Sequence, residues 1–600
     1  MRQSFRKTRQ VSRNIVLAIL LIFVVFLAQK IVLGLFGRAK PQSVVAEKTR
    51  AETVEKQFEA AEYSGTKKNL VIKADNFSLD EEQNQHLEGQ VEVTDESVEG
   101  KVVLRADKLV IPPDRKKIMA EEGVEVNLSN LRIKARQLEY SVEEKMAKAL
   151  EAQLLGDNID ISVQNLRYAV QSKMAMFEGS FEGRSGTQEK QFSFTGRNAI
   201  WENEANLLKA EELRMTSGQV EARGQKVVVR LQKETGDFDT VKLEGSCSIF
   251  GRATKQDADF QEIRVFAEQA DIIHIGEQIL ILAEGAFRME GKGQEWTMGG
   301  TGVRLNLNFK SQEGLDRLLA RDGHLKFTRN DGEENELSAE SIEYGVSAGD
   351  IFLKGQANGL FKDYDLKAKE LRFKISDRSF SASDFQMLIK SGFFSGKLIM
   401  FSEDKAVYVT GKTISGSKDL VSASGQVRTW QEDNLLTAGK MTADRKTSNL
   451  SLEEEVSVNG SVKSVNGRPQ KISLAAARVL LLSEEHRIEA DGQAAMSFDD
   501  LKLNVPQVKI NLDPADGQKL ISIELIGALE VKWKDYLARG RRAFYQADKE
   551  KLEVSGSPEL ITQEGNRVEA DKLTLYLADD RILVENRKRE RSQVILVRGK

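Results

Sequence analysis

Ile72-Lys73-Ala74-Asp75-Asn76-Phe77-Ser78-Leu79 decides how this chain is read. Positions 72 and 74 share one face of a strand, and so do 77 and 79. The step from 74 to 77 is odd, so a straight strand sends the second pair to the opposite face. A bulge or a corner restores one inward direction. The octet therefore predicts a strand bent at its middle, with a small residue at the bend. Its inside is apolar, and Asp75 and Asn76 face water.

The same pattern recurs along the chain. It returns as Leu104-x-Ala106-x-x-Leu109-x-Ile111 and as Ile133-x-Ala135-x-x-Leu138-x-Tyr140. Later copies centre on Ala210, Ala267, Ala339, Ala368, Ala382, Ala438, Ala476 and Ala570. Val163, Gly196, Val505 and Gly540 take the central place in four variants. From Ala74 to Ala106 is 32 residues, then 29 to Ala135 and 28 to Val163. Gly196 to Ala210 and Ala368 to Ala382 are both 14, while Ala210 to Ala267 is 57. One period of about 29, its half and its double is what a stacked repeat predicts. A glycine often follows the small residue by 15 to 18 positions, as at Gly89, Gly123, Gly179, Gly285, Gly355, Gly492 and Gly556. These read as turn or strand-opening positions. The body is thus all-β, a long sandwich or open trough with one dry face. A filled β-solenoid or stalk without ligand fits the same composition.

The 600 residues exceed what one compact core usually reaches. A net charge of -4 gives no argument for nucleic acid. Cys247 stands alone, which excludes an intramolecular disulfide and a thiolate metal site. His86, His274, His324 and His486 lack metal-ligand spacing, and no P-loop, triad or carboxylate pair stands out. The acidic run Glu453-Glu454-Glu455 reads as a solvated loop. No catalytic residue, metal or cofactor is expected.

At the amino terminus Arg2, Arg6, Lys7, Arg9 and Arg13 precede an apolar run from Ile15 to Ala28, continued from Ile31 to Phe36. The full stretch reaches the roughly 20 residues a bilayer requires. The basic flank stays cytoplasmic, which puts the rest across the membrane. Leu27-Ala28-Gln29 offers no small-x-small cleavage site, so a retained anchor is preferred to a cleaved signal peptide.

The carboxyl end carries Ala538-x-Gly540-x-x-Ala543-x-Tyr545, then Leu552-x-Val554-x-Gly556-x-Pro558. It continues as Asn566-x-Val568-x-Ala570-Asp571-Lys572-Leu573-x-Leu575-Tyr576 and Arg581-Ile582-x-Val584. With residues 72 to 152, this resembles the OstA-like domains of the lipopolysaccharide-transport family, LptA, LptC and the periplasmic part of LptD. The single anchor with a basic tail resembles LptC in particular. The chain departs from that pattern in holding several times the usual number of repeats.

The resemblance implies an elongated repetitive β-jellyroll or β-trough with one N-terminal transmembrane helix. Residues 1–14 then form a cytoplasmic tail, 15–36 the anchor and 37–68 a juxtamembrane neck. OstA-like repeats fill 69–225 and 441–600, with degenerate repeats over 226–440. The implied function is lipopolysaccharide transport without covalent chemistry. Acyl chains pass from an inner-membrane ABC transporter complex toward outer-membrane or periplasmic proteins with OstA-like domains. The setting is the inner membrane of a Gram-negative bacterium, with the body in the periplasm. Candidate lipid-binding residues are Phe77, Leu79, Leu109, Ile111, Leu138, Tyr140, Leu371, Phe373, Leu573, Leu575 and Leu577. The last segment, Gln593 to Val597, is a candidate for strand addition to a partner sheet. Rival readings are an AsmA-like or TamB-like phospholipid bridge and a filled structural stalk.

Overall fold

A computed structural model describes residues 55–597 apart from short stretches, the longest being 96–101, 253–260 and 587–593. The expected tail and anchor lie outside the described residues, as does the basic cluster Arg587, Lys588, Arg589, Arg591 and Arg598, whose charges suit lipid phosphates and a solvated edge alike. Among the described residues no helix is long and apolar enough to cross a membrane. Their regular structure is strand, apart from a 3₁₀ turn at Ala547–Lys549. The chain divides into two compact units, Met1–Gln294 with Thr301–Arg317, and Glu295–Gly300 with Leu318–Lys600.

In each unit most strands pair antiparallel with the strand before and the strand after, as Gln85–Asp95 does with Lys67–Leu79 and Val102–Ile111, and Tyr364–Lys374 does with Asp350–Leu360 and Phe380–Ile389. One strand thus fills each half-period of about 14 residues, and a hairpin fills the full period. The degenerate middle obeys the same rule, as in Phe238–Arg252 beside Glu262–Ile275.

The bend stands where the odd step requires it. Lys73 pairs with Glu92 and Asn76 with Glu88, so Ala74 and Asp75 face Gly89, Gln90 and Val91. On the other side Glu88 pairs with Lys108 and Val91 with Ala106, leaving Gly89 and Gln90 opposite Asp107 alone. Ile72, Ala74 and Phe77 are buried while Asp75 is exposed. The extra residue belongs to the glycine-bearing strand, not to the strand with the small residue.

This corrects the reading of the glycines. Gly89 lies inside Gln85–Asp95, Gly123 inside Lys117–Asn127 and Gly492 inside Arg487–Phe498. They make mid-strand bulges, not turns or strand openings. At Gly89 φ is +72°, and a Cβ there would stand 2.6 Å from the Asp75 carboxylate. A residue with a side chain is strained at that φ, and this one would also strike its neighbour. Gly556 differs, since it falls between the short strands Lys551–Ser555 and Glu559–Ile561. Glu453-Glu454-Glu455 likewise sits in the middle of Asn449–Lys463, where Glu454 and Glu455 form the exposed outside of a corner at φ of +67° and +52°.

Strand structure also starts earlier than the repeat suggests. Glu55–Ser64 lies within the stretch read as a neck and pairs with Lys67–Leu79. Its Ala, Glu and Lys content suits a helix, but the Phe58 ring stacks on Phe77 at 4.8 Å, which favours the sheet.

Bent strands give each unit two facing arms, because each strand contributes one half to either arm. Phe192 and Phe238 come from opposite arms and meet edge-on at 5.7 Å. Phe498 and Tyr545 do the same at 5.3 Å. Cys247 faces this interior and donates its thiol to the Glu268 carbonyl at 3.5 Å. Burial pushes the thiol up to about 11. In the native protein a soluble disulfide reagent should modify it about a hundredfold or more slowly than after unfolding, since thiolate and access are both lost. Equal rates in the two states would place Cys247 on an open surface.

Candidate functional site

The alternation that builds each strand also builds the site. In an antiparallel sheet, inward residues of neighbouring strands stand opposite each other and form rows across the strands. In the first unit one row runs Phe77, Leu87, Leu109, Ala120, Leu138, Ala149, Leu166 and Phe177. In the second unit a longer row includes Leu353 and Leu371 and passes Ala382, Ile414, Ala423, Met441 and Leu452. It continues through Val479, Ala490, Val508, Leu525 and Ala543 to Val554, Leu573 and Val584. Every residue in it is Leu, Ile, Val, Met or Ala.

The eleven sequence-chosen residues fall on this interior unevenly. Phe77, Leu109, Ile111, Leu138, Tyr140, Leu371, Phe373, Leu573 and Leu575 are buried. Phe77, Leu109 and Leu138 share the first row, and Leu371 and Leu573 share the second. Leu79 is half-buried at a strand end. Leu577 is half-buried as well, because its strand stops at Tyr576 and the chain turns. Its backbone N–H donates to the Glu550 carbonyl at 2.9 Å. Tyr140 is 1% exposed, and its hydroxyl has no hydrogen-bond partner among the described residues. Burial in apolar surroundings raises its pKa far above the usual phenol value.

Turns alternate between the two rims of each bent sheet, and polar ties join the rims. In the first unit Ser185 Oγ donates to the Gly236 carbonyl at 2.6 Å. Asn158 Nδ2 donates to the Glu234 carbonyl at 3.3 Å. In the second unit the Lys463 N–H donates to the Gln518 carbonyl at 2.7 Å, and its ammonium pairs with Asp516 at 3.0 Å. Lys534 pairs with Asp580. Sequence reasoning missed these residues because each tie joins strand ends or turns several strands apart, and no local pattern encodes it.

The arrangement can shelter apolar matter between two walls. Among the described residues no three His, Cys, Asp or Glu side chains stand together as metal ligands. No family model matches the chain, and no curated protein matches it significantly.

Proposed function

We propose that this chain is a non-enzymatic carrier of lipid acyl chains, with lipopolysaccharide as its cargo. It takes the lipid from an inner-membrane ABC extractor and passes it across the periplasm toward the outer membrane. The carrying observation is the unbroken apolar row from Leu353 to Val584. A sliding acyl chain loses about 0.8 kcal/mol for each methylene it exposes to water, so a path for it tolerates no polar break. A compact globular core does not need such a row.

The amino-terminal pattern supplies the membrane end of this reading. The carboxyl end supplies the handover. Val594–Val597 pairs with Arg581–Glu585 on one side and with no second strand among the described residues, an edge that suits strand addition by a partner sheet of the same kind.

A photo-crosslinking residue at Phe373 or Leu575 is expected to capture lipopolysaccharide in cells. The outward Arg372 and Glu553 positions should capture none. Phospholipid without lipopolysaccharide at the inward positions would replace the cargo with that of an AsmA-like or TamB-like bridge. A filled stalk is favoured by one observation: Leu371 and Leu573 are 0% exposed, so the interior closes on itself without cargo. Inward crosslinkers that capture no lipid of any kind would establish that second reading.

A further inference from the structure

The interior of the second unit is filled in one place by something other than strands. Phe380–Ile389 and Val407–Gly416 are separated by 17 positions, the longest gap between consecutive strands among the described residues, and 390–394, 398–402 and 404–406 of it are described. Connections normally run over the surface, because their backbone polar groups need water. This one carries the apolar run Leu398-Ile399-Met400-Phe401, and all four side chains are buried, as is Phe393.

Phe393 and Leu398 reach between the arms. Met387 and Val409 flank them from one arm, and Ile414, Met441 and Leu450 from the other. With these side chains in place the enclosed space that remains is about 10 Å³, no more than one water molecule requires. The exposed lining is wholly apolar.

The segment is tied to both rims. On its own rim Gln431 accepts from the Ser402 N–H at 2.6 Å and donates to the Ser402 and Lys405 carbonyls at 2.9 and 2.8 Å. Asn434 Nδ2 donates to the Met400 carbonyl at 2.5 Å. From the opposite rim Arg445 Nε donates to the Phe393 carbonyl at 2.9 Å, and its guanidinium lies 4.3 Å from the centre of the Phe393 ring. The same guanidinium pairs with Asp363 at 3.1 Å. Arg445 thus spans the mouth of the trough and holds the segment in.

The geometry points to an alkyl-chain binding site between Met387, Val409, Ile414, Met441 and Leu450, occupied at rest by Phe393 and Leu398. Residues 390–394 and 398–402 leave this site when one unbranched lipid chain takes their place. The inference rests on the carrier reading and adds a position to it, a station where cargo displaces a resident strap. An apolar guest and an apolar strap compete for one dry slot. The ties that hold the strap are polar and lie at the rims, so they break without rearranging the strands.

The test uses the purified full chain and cis-parinaric acid, a fatty acid whose fluorescence rises in apolar surroundings. Arg445→Ala removes the tie across the mouth, and Gln431→Ala removes one on the near rim. Arg445→Ala is expected to bind the probe about tenfold tighter, because one charge-assisted hydrogen bond no longer holds the competing state. Arg445→Lys should fall between it and the native chain. The probe should also speed tryptic cleavage after Lys390 and Lys405 several-fold in every form. If Arg445→Ala does not fold, Gln431→Ala reports the same change from the other rim. A probe that binds all forms equally and leaves cleavage unchanged overturns the strap while the carrier reading stands. A chain that binds no probe in any form overturns both.

Discussion

Replacing Gly492 with alanine is expected to destabilise the surrounding strands by about 3–5 kcal/mol, the sum of backbone strain and overpacking. Gly492 holds φ at +81°, and a Cβ there would stand 2.7 Å from the Ala477 Cβ. That neighbour is a methyl fixed to its own backbone. It cannot swing aside as a long side chain does, so one of the two strands must shift. Gly285 offers the matched control, with the same φ of +81° and only the Glu268 carboxylate at 3.5 Å. Gly285→Ala meets backbone strain alone and should cost about 1–2 kcal/mol. In a stacked repeat the loss stays near the mutated strand. Amide exchange in Pro469–Leu482, Arg487–Phe498 and Leu501–Leu512 is therefore the measurement, against the corresponding neighbours of Gly285. Equal losses at the two sites would show that conformation alone selects glycine there. No loss at Gly492 would remove the bulge as the reason for the corner.

The contrast between these glycines shows what the sequence makes legible. The bend at Ala74 is written locally, since the odd step from 74 to 77 is visible in eight residues. The recurrence of glycine 15 to 18 positions later is visible too, but its role is not. Leu87, Gly89 and Val91 keep an even spacing, so the pattern shows no break inside Gln85–Asp95. The bulge becomes apparent only when Gly89 and Gln90 are set against Asp107 of the next strand. Glu55–Ser64 was hidden for a different reason, because its polar, Ala-rich composition outweighs the one ring that stacks on Phe77.

The candidate interior was legible wherever period-two alternation persists. Leu371 and Leu573 lie far apart in sequence yet fall on one apolar row, because each intervening strand keeps its phase. Leu577 misses the interior since its strand ends one residue earlier. The plug formed by residues 390–394 and 398–402 was not legible. An apolar run such as Leu398-Ile399-Met400-Phe401 reads as part of a strand, and only the fold shows it plugging the space between two arms. Failure of alternation beside an apolar run was the one local signal.

The second large effect concerns the wall itself. Leu371→Asp is expected to cost more than about 4 kcal/mol at neutral pH, the penalty of an unpaired buried charge. Leu371 is 0% exposed, and its row partners Leu353 and Ala382 offer no hydrogen bond. Gly359 packs close by, so that a Cβ there would stand 3.2 Å from the Leu371 Cδ2. No room is left for a hydrated carboxylate. Burial raises the folded-state pKa of the new aspartate above its unfolded value of about 3.9. The penalty is then complete above the folded pKa and shrinks as pH falls through it toward the unfolded value. Leu371→Asn should show a deficit without that dependence. Amide exchange of Asp350–Leu360 and Tyr364–Lys374 at neutral and acidic pH measures both variants. A deficit for Leu371→Asp that stays flat with pH would mean that the carboxylate reaches water. The arms would then part readily without cargo, and the interior would be an open trough in solution, not a closed core that lipid must enter by force.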